Sequence, residues 1–208
     1  MIANNCTNIH FFSVTILSYI IGSIPFAVLT SIFLGLEDPR NFGSKNPGAT
    51  NMLRTGNKIA AIITLLGDMI KGFIAIKITT IIYGINCPKL MGLSIVFVVL
   101  GHMYPVFANF RGGKGIATFF GILSAINPLS SVFYAISWII ISYIWKYSSM
   151  SSIVTVVIAI TYYFIDYKTG NTDREILISI MVVGILLIYK HKKNIKKLIN
   201  GTENSINF

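Results

Sequence analysis

The chain has 208 residues, 54% hydrophobic and only 12% charged, with a mean hydropathy of +0.72 and a formal net charge of +10. A soluble domain carries about 25% charged residues, so this composition excludes an ordinary soluble globule and points to a membrane. So much positive charge on a soluble chain would suggest nucleic acid, but here Lys and Arg gather at the ends of apolar runs, and no nucleic-acid partner is expected.

The N-terminal "MIANNCTNIHFF" lacks the basic segment of a cleaved signal peptide, so the apolar run 11–35 is expected to be a retained anchor and first span. It is followed by "NFGSKNPGATNMLRTG", residues 41–56, with almost no apolar side chains. There Gly43 and Gly48 permit unusual backbone conformations, and Ser44, Asn46, Thr50 and Asn51 offer short-range hydrogen bonds. Arg54 adds a planar, always-charged fork that suits phosphate. A solvated loop with a helix cap is the plainer alternative.

The second run, 58–84, carries Asp68 and Lys71 one helical turn apart, and a self-neutralising structural pair is the simpler reading. The third, 89–106, contains His102 just before Pro105, either a base or a structural histidine bonded to a loop carbonyl. Next comes "GHMYPVFANFRGGKGIAT". Gly112, Gly113 and Gly115 around Lys114 can turn successive N–H groups toward an anion, with a helix from Ile116 adding its positive end. This is not a Walker A loop, because Ala108 stands where its first glycine belongs. Phosphate binding is expected; ATP hydrolysis is not.

A short fourth run, 116–126, and a fifth, 129–145, flank "AINPLSS", where Pro128 makes either a turn or a kink. "KYSSMSS" then offers Ser149 and Ser152 as active-site hydroxyls or as caps of the sixth run, 153–165. After the seventh, 174–190, "YKHKKNIKKLINGTE" combines a basic anchor with His191, Asn194, Gly201 and Glu203.

Seven apolar runs predict an all-α integral membrane protein, a bundle of about seven transmembrane helices forming one polytopic domain over 1–208; five or six spans are the alternatives. With the N-terminus outside, twelve of the seventeen Lys and Arg face the cytoplasm, which satisfies the positive-inside rule. The same topology brings all four polar segments to the cytoplasmic face as active-site loops. Cys6 and Cys87 belong to no metal-binding pattern; a bundle of this size does not require a disulfide, and whether the two pair is left open by the sequence.

What is missing narrows the chemistry. No carboxylate cluster is present for Mg²⁺, and no Gly-x-Ser-x-Gly nucleophile. The His-x-x-x-x-Asp arrangement of many acyl-CoA-dependent acyltransferases is absent, since Thr15, Phe107 and Lys196 stand where the aspartate would follow His10, His102 and His191.

"GSKNPGATNMLRTG", "GHMYPVFANFRGGKGIATFFG" and "YKHKKNIKKLINGTE" resemble, in order, the three motifs of the bacterial acyl-phosphate:glycerol-3-phosphate acyltransferases, and the similarity runs from "GSIPFA" at Gly22 to Glu203. The resemblance implies a multi-pass enzyme of the bacterial inner membrane with its active site facing the cytoplasm. It would acylate the 1-hydroxyl of glycerol-3-phosphate from acyl phosphate, giving lysophosphatidic acid and phosphate, with membrane lipid as its surroundings and neither cofactor nor metal. This is the first acylation of phospholipid synthesis. Combined with the reading of the residues, it gives Ser44, Arg54, Lys114, His191 and Asn194 catalytic roles. Asn46, Gly48, Thr50, Asn51, Gly112, Gly113, Gly115, Ser149 and Ser152 would bind substrate, while His102 and Glu203 would be structural. Lys45 departs from the pattern where Gly is usual, and Lys190 and Lys197 stand where Arg is common. A transporter of a phosphorylated metabolite is the rival reading, although transport should need polar residues along the whole path.

Overall fold

A computed structural model describes residues 7–84 and 87–206. Every described regular element is helical: α1 (Asn8–Gly22), α2 (Phe26–Phe33), α3 (Ala49–Leu53), α4 (Lys58–Tyr83), α5 (Pro88–Met103), α6 (Ile116–Ile126), α7 (Pro128–Trp145), α8 (Ser148–Lys168), α9 (Arg174–Lys190) and α10 (Lys192–Ile199). All seven expected apolar runs are helical. Five segments, 8–33, 58–83, 88–108, 128–145 and 148–168, are long and apolar enough to cross a bilayer. With 11 residues, α6 is about 16 Å long, roughly half the hydrocarbon thickness.

Two boundaries differ from expectation, and a third, left open between turn and kink, is resolved. The first run is two helices, because Pro25 lacks an N–H and disfavours helical backbone at Ile24. The "AINPLSS" segment is a turn. Asn127 caps α7 through Ser130 N–H (3.1 Å) and reaches Tyr162 on α8 at 3.4 Å, short of that helix's end. The sixth run begins at Ser148 rather than 153, so the serines expected beside the span form its first turn and a half. Cys87 is disulfide-bonded, a point the sequence left open; Cys6 lies outside the described residues.

The core centres on α5, whose Ile95, Val98, Val99 and Met103 meet Ile122 and Leu123 of α6 and Ile180, Val183 and Leu187 of α9. Close backbone approach makes this possible: a Cβ on Gly72 of α4 would strike the Thr118 carbonyl of α6, and one on Gly121 would strike Met69. Outward, Ile62, Leu66, Ile81, Phe133, Ile140 and Tyr143 are exposed, the band of apolar surface that lipid covers.

Candidate active site

The chain reverses so that 34–57, 104–115, 146–148 and 190–206 gather at one end of the bundle. Cross-links between these segments define it. Arg40, paired with Asp38 at 2.5 Å, donates to the Ala108 carbonyl at 3.3 Å. Thr50 and Ser148 share a hydrogen bond of 3.2 Å, and the Ile206 N–H donates to the Lys146 carbonyl at 2.7 Å. Lys190 Nζ donates to the Met103 carbonyl at 3.3 Å and lies 4.2 Å from the Tyr104 ring centroid.

Loop 41–56 is organised by Asn51. Its Oδ1 accepts the Ser44 N–H at 2.8 Å, and its Nδ2 donates to Pro39 O (2.8 Å) and Phe42 O (3.2 Å). The buried amide, expected from the sequence to bind substrate, is thus engaged by the loop itself. Ser44 and Arg54 remain exposed, Asn46, Gly48 and Thr50 half-buried. Lys45 has φ +56°, a left-handed conformation that explains why glycine is usual there.

The second loop passes through left-handed backbone at Asn109 (φ +52°) and Phe110 (φ +58°) before Gly112. The Gly113 N–H donates to the His102 carbonyl at 3.2 Å, so this amide is held by the fold and is not offered to an anion. Gly115 has φ +95°, which starts α6 at Ile116 and brings that helix's first turn to the loop. Between them Lys114 is pushed down to about 8, chiefly by burial; Glu203 opposes the shift, while Arg54 and Lys197 add to it. Arg54, Lys197 and Glu203 are thus all within electrostatic reach of Lys114. Sequence reasoning missed Lys197, which looked like one more anchoring lysine.

The C-terminal polar segment closes the site. Glu203 Oε1 accepts from Asn194 Nδ2 at 2.7 Å and from Ser149 Oγ at 3.0 Å, joining the C-terminal segment to α8. Glu203, Ser149 and Asn194 are thus engaged with one another. His191 is buried, and its Nδ1 lies 2.8 Å from the Leu187 carbonyl. A carbonyl only accepts, so Nδ1 carries the hydrogen and Nε2 the lone pair. Burial, with Lys114 nearby, lowers His191 to about 4, so the ring is neutral near pH 7. Ser152 stands apart: its hydroxyl donates to Ser148 O at 2.7 Å and accepts from Trp138 Nε1 at 3.1 Å, a helix-to-helix tie. Among the described residues, no group of three or more His, Cys, Asp and Glu side chains is placed to hold a metal ion.

A multi-pass helical bundle with a cationic, amide-rich end is a membrane protein built around anions. The profile of the family described as glycerol-3-phosphate acyltransferase matches residues 12–201. The chain is 43% identical over 192 residues to the glycerol-3-phosphate acyltransferase of Burkholderia pseudomallei strain K96243, covering 92% of this chain and 93% of that protein. The Bordetella petrii enzyme is 44% identical over 191 residues, covering 91% and 90%. The crystal structure of PlsY (YgiH), an integral membrane glycerol 3-phosphate acyltransferase, in its glycerol 3-phosphate form, superposes with a TM-score of 0.87 at 34% identity, over 95% of this chain and 96% of that one. Its lysophosphatidic acid form gives 0.86 at 32% identity, over 95% of each chain. The chain belongs to the glycerol-3-phosphate acyltransferase family and is an integral membrane acyltransferase.

Proposed function

We propose that this enzyme transfers a fatty acyl group from acyl phosphate to the 1-hydroxyl of glycerol-3-phosphate, releasing lysophosphatidic acid and inorganic phosphate. The observation that carries this reading is that Lys114, at one membrane end, lies within electrostatic reach of two further cations, Arg54 and Lys197, and of one acidic group, Glu203. Both substrates are phosphate anions, and bringing them together is opposed by their repulsion. Cations and oriented N–H groups offset that repulsion, and more so in a partly dry site.

An acyl phosphate is a mixed anhydride, so the enzyme needs no covalent nucleophile. The glycerol hydroxyl oxygen attacks the acyl carbonyl carbon, the bond from that carbon to the phosphate oxygen breaks, and phosphate leaves with the bonding pair. The hydroxyl proton passes to a substrate phosphate oxygen. His191 is too weak a base at about 4 to take it efficiently near neutrality; its Nε2 suits accepting a hydrogen bond that orients a substrate group.

The acyl chain reaches the site sideways from the bilayer, and the soluble substrate arrives from the cytoplasm of the bacterial inner membrane. Two features support that orientation. Basic residues crowd the site end, and disulfide-bonded Cys87 lies at the opposite end, where an oxidising compartment keeps such bonds.

The test is direct. Purified protein in detergent with EDTA, given acyl phosphate and glycerol-3-phosphate, is expected to form lysophosphatidic acid and phosphate with no sealed compartment. Acyl-CoA should not replace acyl phosphate. Absence of product with acyl phosphate, or turnover with acyl-CoA alone, overturns the reading.

A further inference from the structure

Beneath the glycine loop lies a group of polar side chains that this chemistry does not use. Asp68 and Lys71 of α4 are each 3% exposed and His102 of α5 is 6% exposed. Lys71 Nζ stands 2.7 Å from Asp68 Oδ1 and donates at 2.9 Å to the Ile24 carbonyl, at the break between α1 and α2. His102 Nδ1 stands 3.4 Å from the same Asp68 oxygen. The other edge of the ring faces the loop: a Cβ on Gly113 would strike His102 Nε2 and come within 2.7 Å of the Pro47 carbonyl. One on Gly112 would strike the His102 carbonyl, which already holds the Gly113 N–H. A small cavity is bounded by Asp68, Lys71 and His102 below and by Pro47, Arg111 and Gly113 above.

Stability alone does not account for this arrangement. Apolar residues of similar volume commonly serve as well as a buried ion pair or better, because desolvating two charges offsets their attraction. The geometry points to a positioning device: Asp68, anchored by Lys71, orients His102, and the imidazole sets the Gly112–Gly113 backbone against Pro47. That spacing joins the loop carrying Lys114 to the loop leading to Arg54. The three residues touch no reacting atom. They fix the distance at which two cationic loops face their anions, and a small misplacement there is costly in rate and binding.

The inference rests on the proposed reaction, with the 112–115 loop and its Lys114 taken to hold the glycerol-3-phosphate anion, and its test separates the two. Three variants are compared in detergent: H102N, which empties the space under Gly113; D68L/K71M, which removes both charges and the acceptor facing His102; and D68N/K71M, which removes the charges but keeps an amide oxygen there. In the first two, amide hydrogen exchange across 109–115 should quicken at unchanged melting temperature, and KM for glycerol-3-phosphate should rise roughly tenfold or more with KM for acyl phosphate held. D68N/K71M should remain near wild type in both. If exchange quickens as expected while wild-type protein does not use glycerol-3-phosphate at all, the functional reading fails and the positioning stands. Unchanged exchange in folded H102N and D68L/K71M overturns the positioning. So does a rise in both KM values together with a lowered melting temperature, the mark of general loosening.

Discussion

Lys114 combines burial with three charged neighbours, and its titration gives a prediction with a defined sign. Burial disfavours the ammonium and brings Lys114 to about 8, so in the free enzyme the cation needed to hold phosphate is lost as pH rises through that value. The kcat/KM for glycerol-3-phosphate should therefore fall on the alkaline side with an apparent pKa near 8. Glu203 pulls this value upward, so E203Q, which keeps an acceptor for Asn194 and Ser149, should move the alkaline limb to lower pH. An unmoved limb would show that another group controls it. Arg54 permits a second test. Arg54→Lys keeps the charge but replaces a two-pronged donor by a point ammonium, and turnover should fall roughly 10²–10³-fold, about 2.7–4 kcal/mol, the usual cost of losing a transition-state donor. Activity within threefold of wild type would remove Arg54 from phosphate contact. Lys45 carries a cost of another kind: its φ of +56° is natural for glycine and strained for lysine. Lys45→Gly should stabilise the protein by up to about 1 kcal/mol, seen as a higher melting temperature with activity retained.

Among the helices, α10 separates anchoring from chemistry most sharply. It follows His191 with four lysines, all of them exposed; Lys192 Nζ donates to the Tyr189 hydroxyl at 3.1 Å. Lys197 alone among them bears on Lys114. Lys192→Gln and Lys193→Gln should thus leave turnover within about twofold, since exposed charges that do not bear on Lys114 are screened by salt and contribute little. Lys197→Gln should raise KM for a phosphorylated substrate, and equal effects of all three in steady-state kinetics would return α10 to a plain anchor. The helices themselves were largely legible in the sequence, because runs of apolar residues near twenty long have few other uses. The break at Pro25 was not inferred, since the apolar pattern continues through it. Nor was the start of α8, where serines as polar as any loop form the first turns and spend their hydroxyls on Ser148 O, Tyr147 O and Glu203. The site loops were legible as loops of Gly, amides and cations. Which amides were free was not: Asn46 and Asn51 look alike in a string, and only the fold shows Asn51 occupied at both ends. The contact of His102 with Asp68 joins residues 34 positions apart and leaves no trace in local spacing.

Orientation belongs to the molecule as a whole, and three independent features bear on it. Basic residues concentrate at the end that holds Arg54, Lys114 and Lys197, whereas the opposite end holds Lys89, Lys168 and Arg174 together with Asp166, Asp173 and Glu175. Cys87 is disulfide-bonded at that second end, beside the start of α5, where a reducing cytoplasm would work against it. The substrate argument agrees, since a soluble phosphorylated metabolite is met on the cytoplasmic side. Thr169 and Ser205 are both exposed and lie at opposite ends of the bundle. In intact cells, without reductant, a membrane-impermeant maleimide should label T169C, whereas S205C should be labelled only after the inner membrane is opened. Absence of reductant keeps Cys87 from contributing signal. A tag after Phe208 should likewise be shielded from external protease. Labelling of S205C from outside would put the cationic loops on the wrong side of the membrane for their substrate, and the proposed orientation would fall with it.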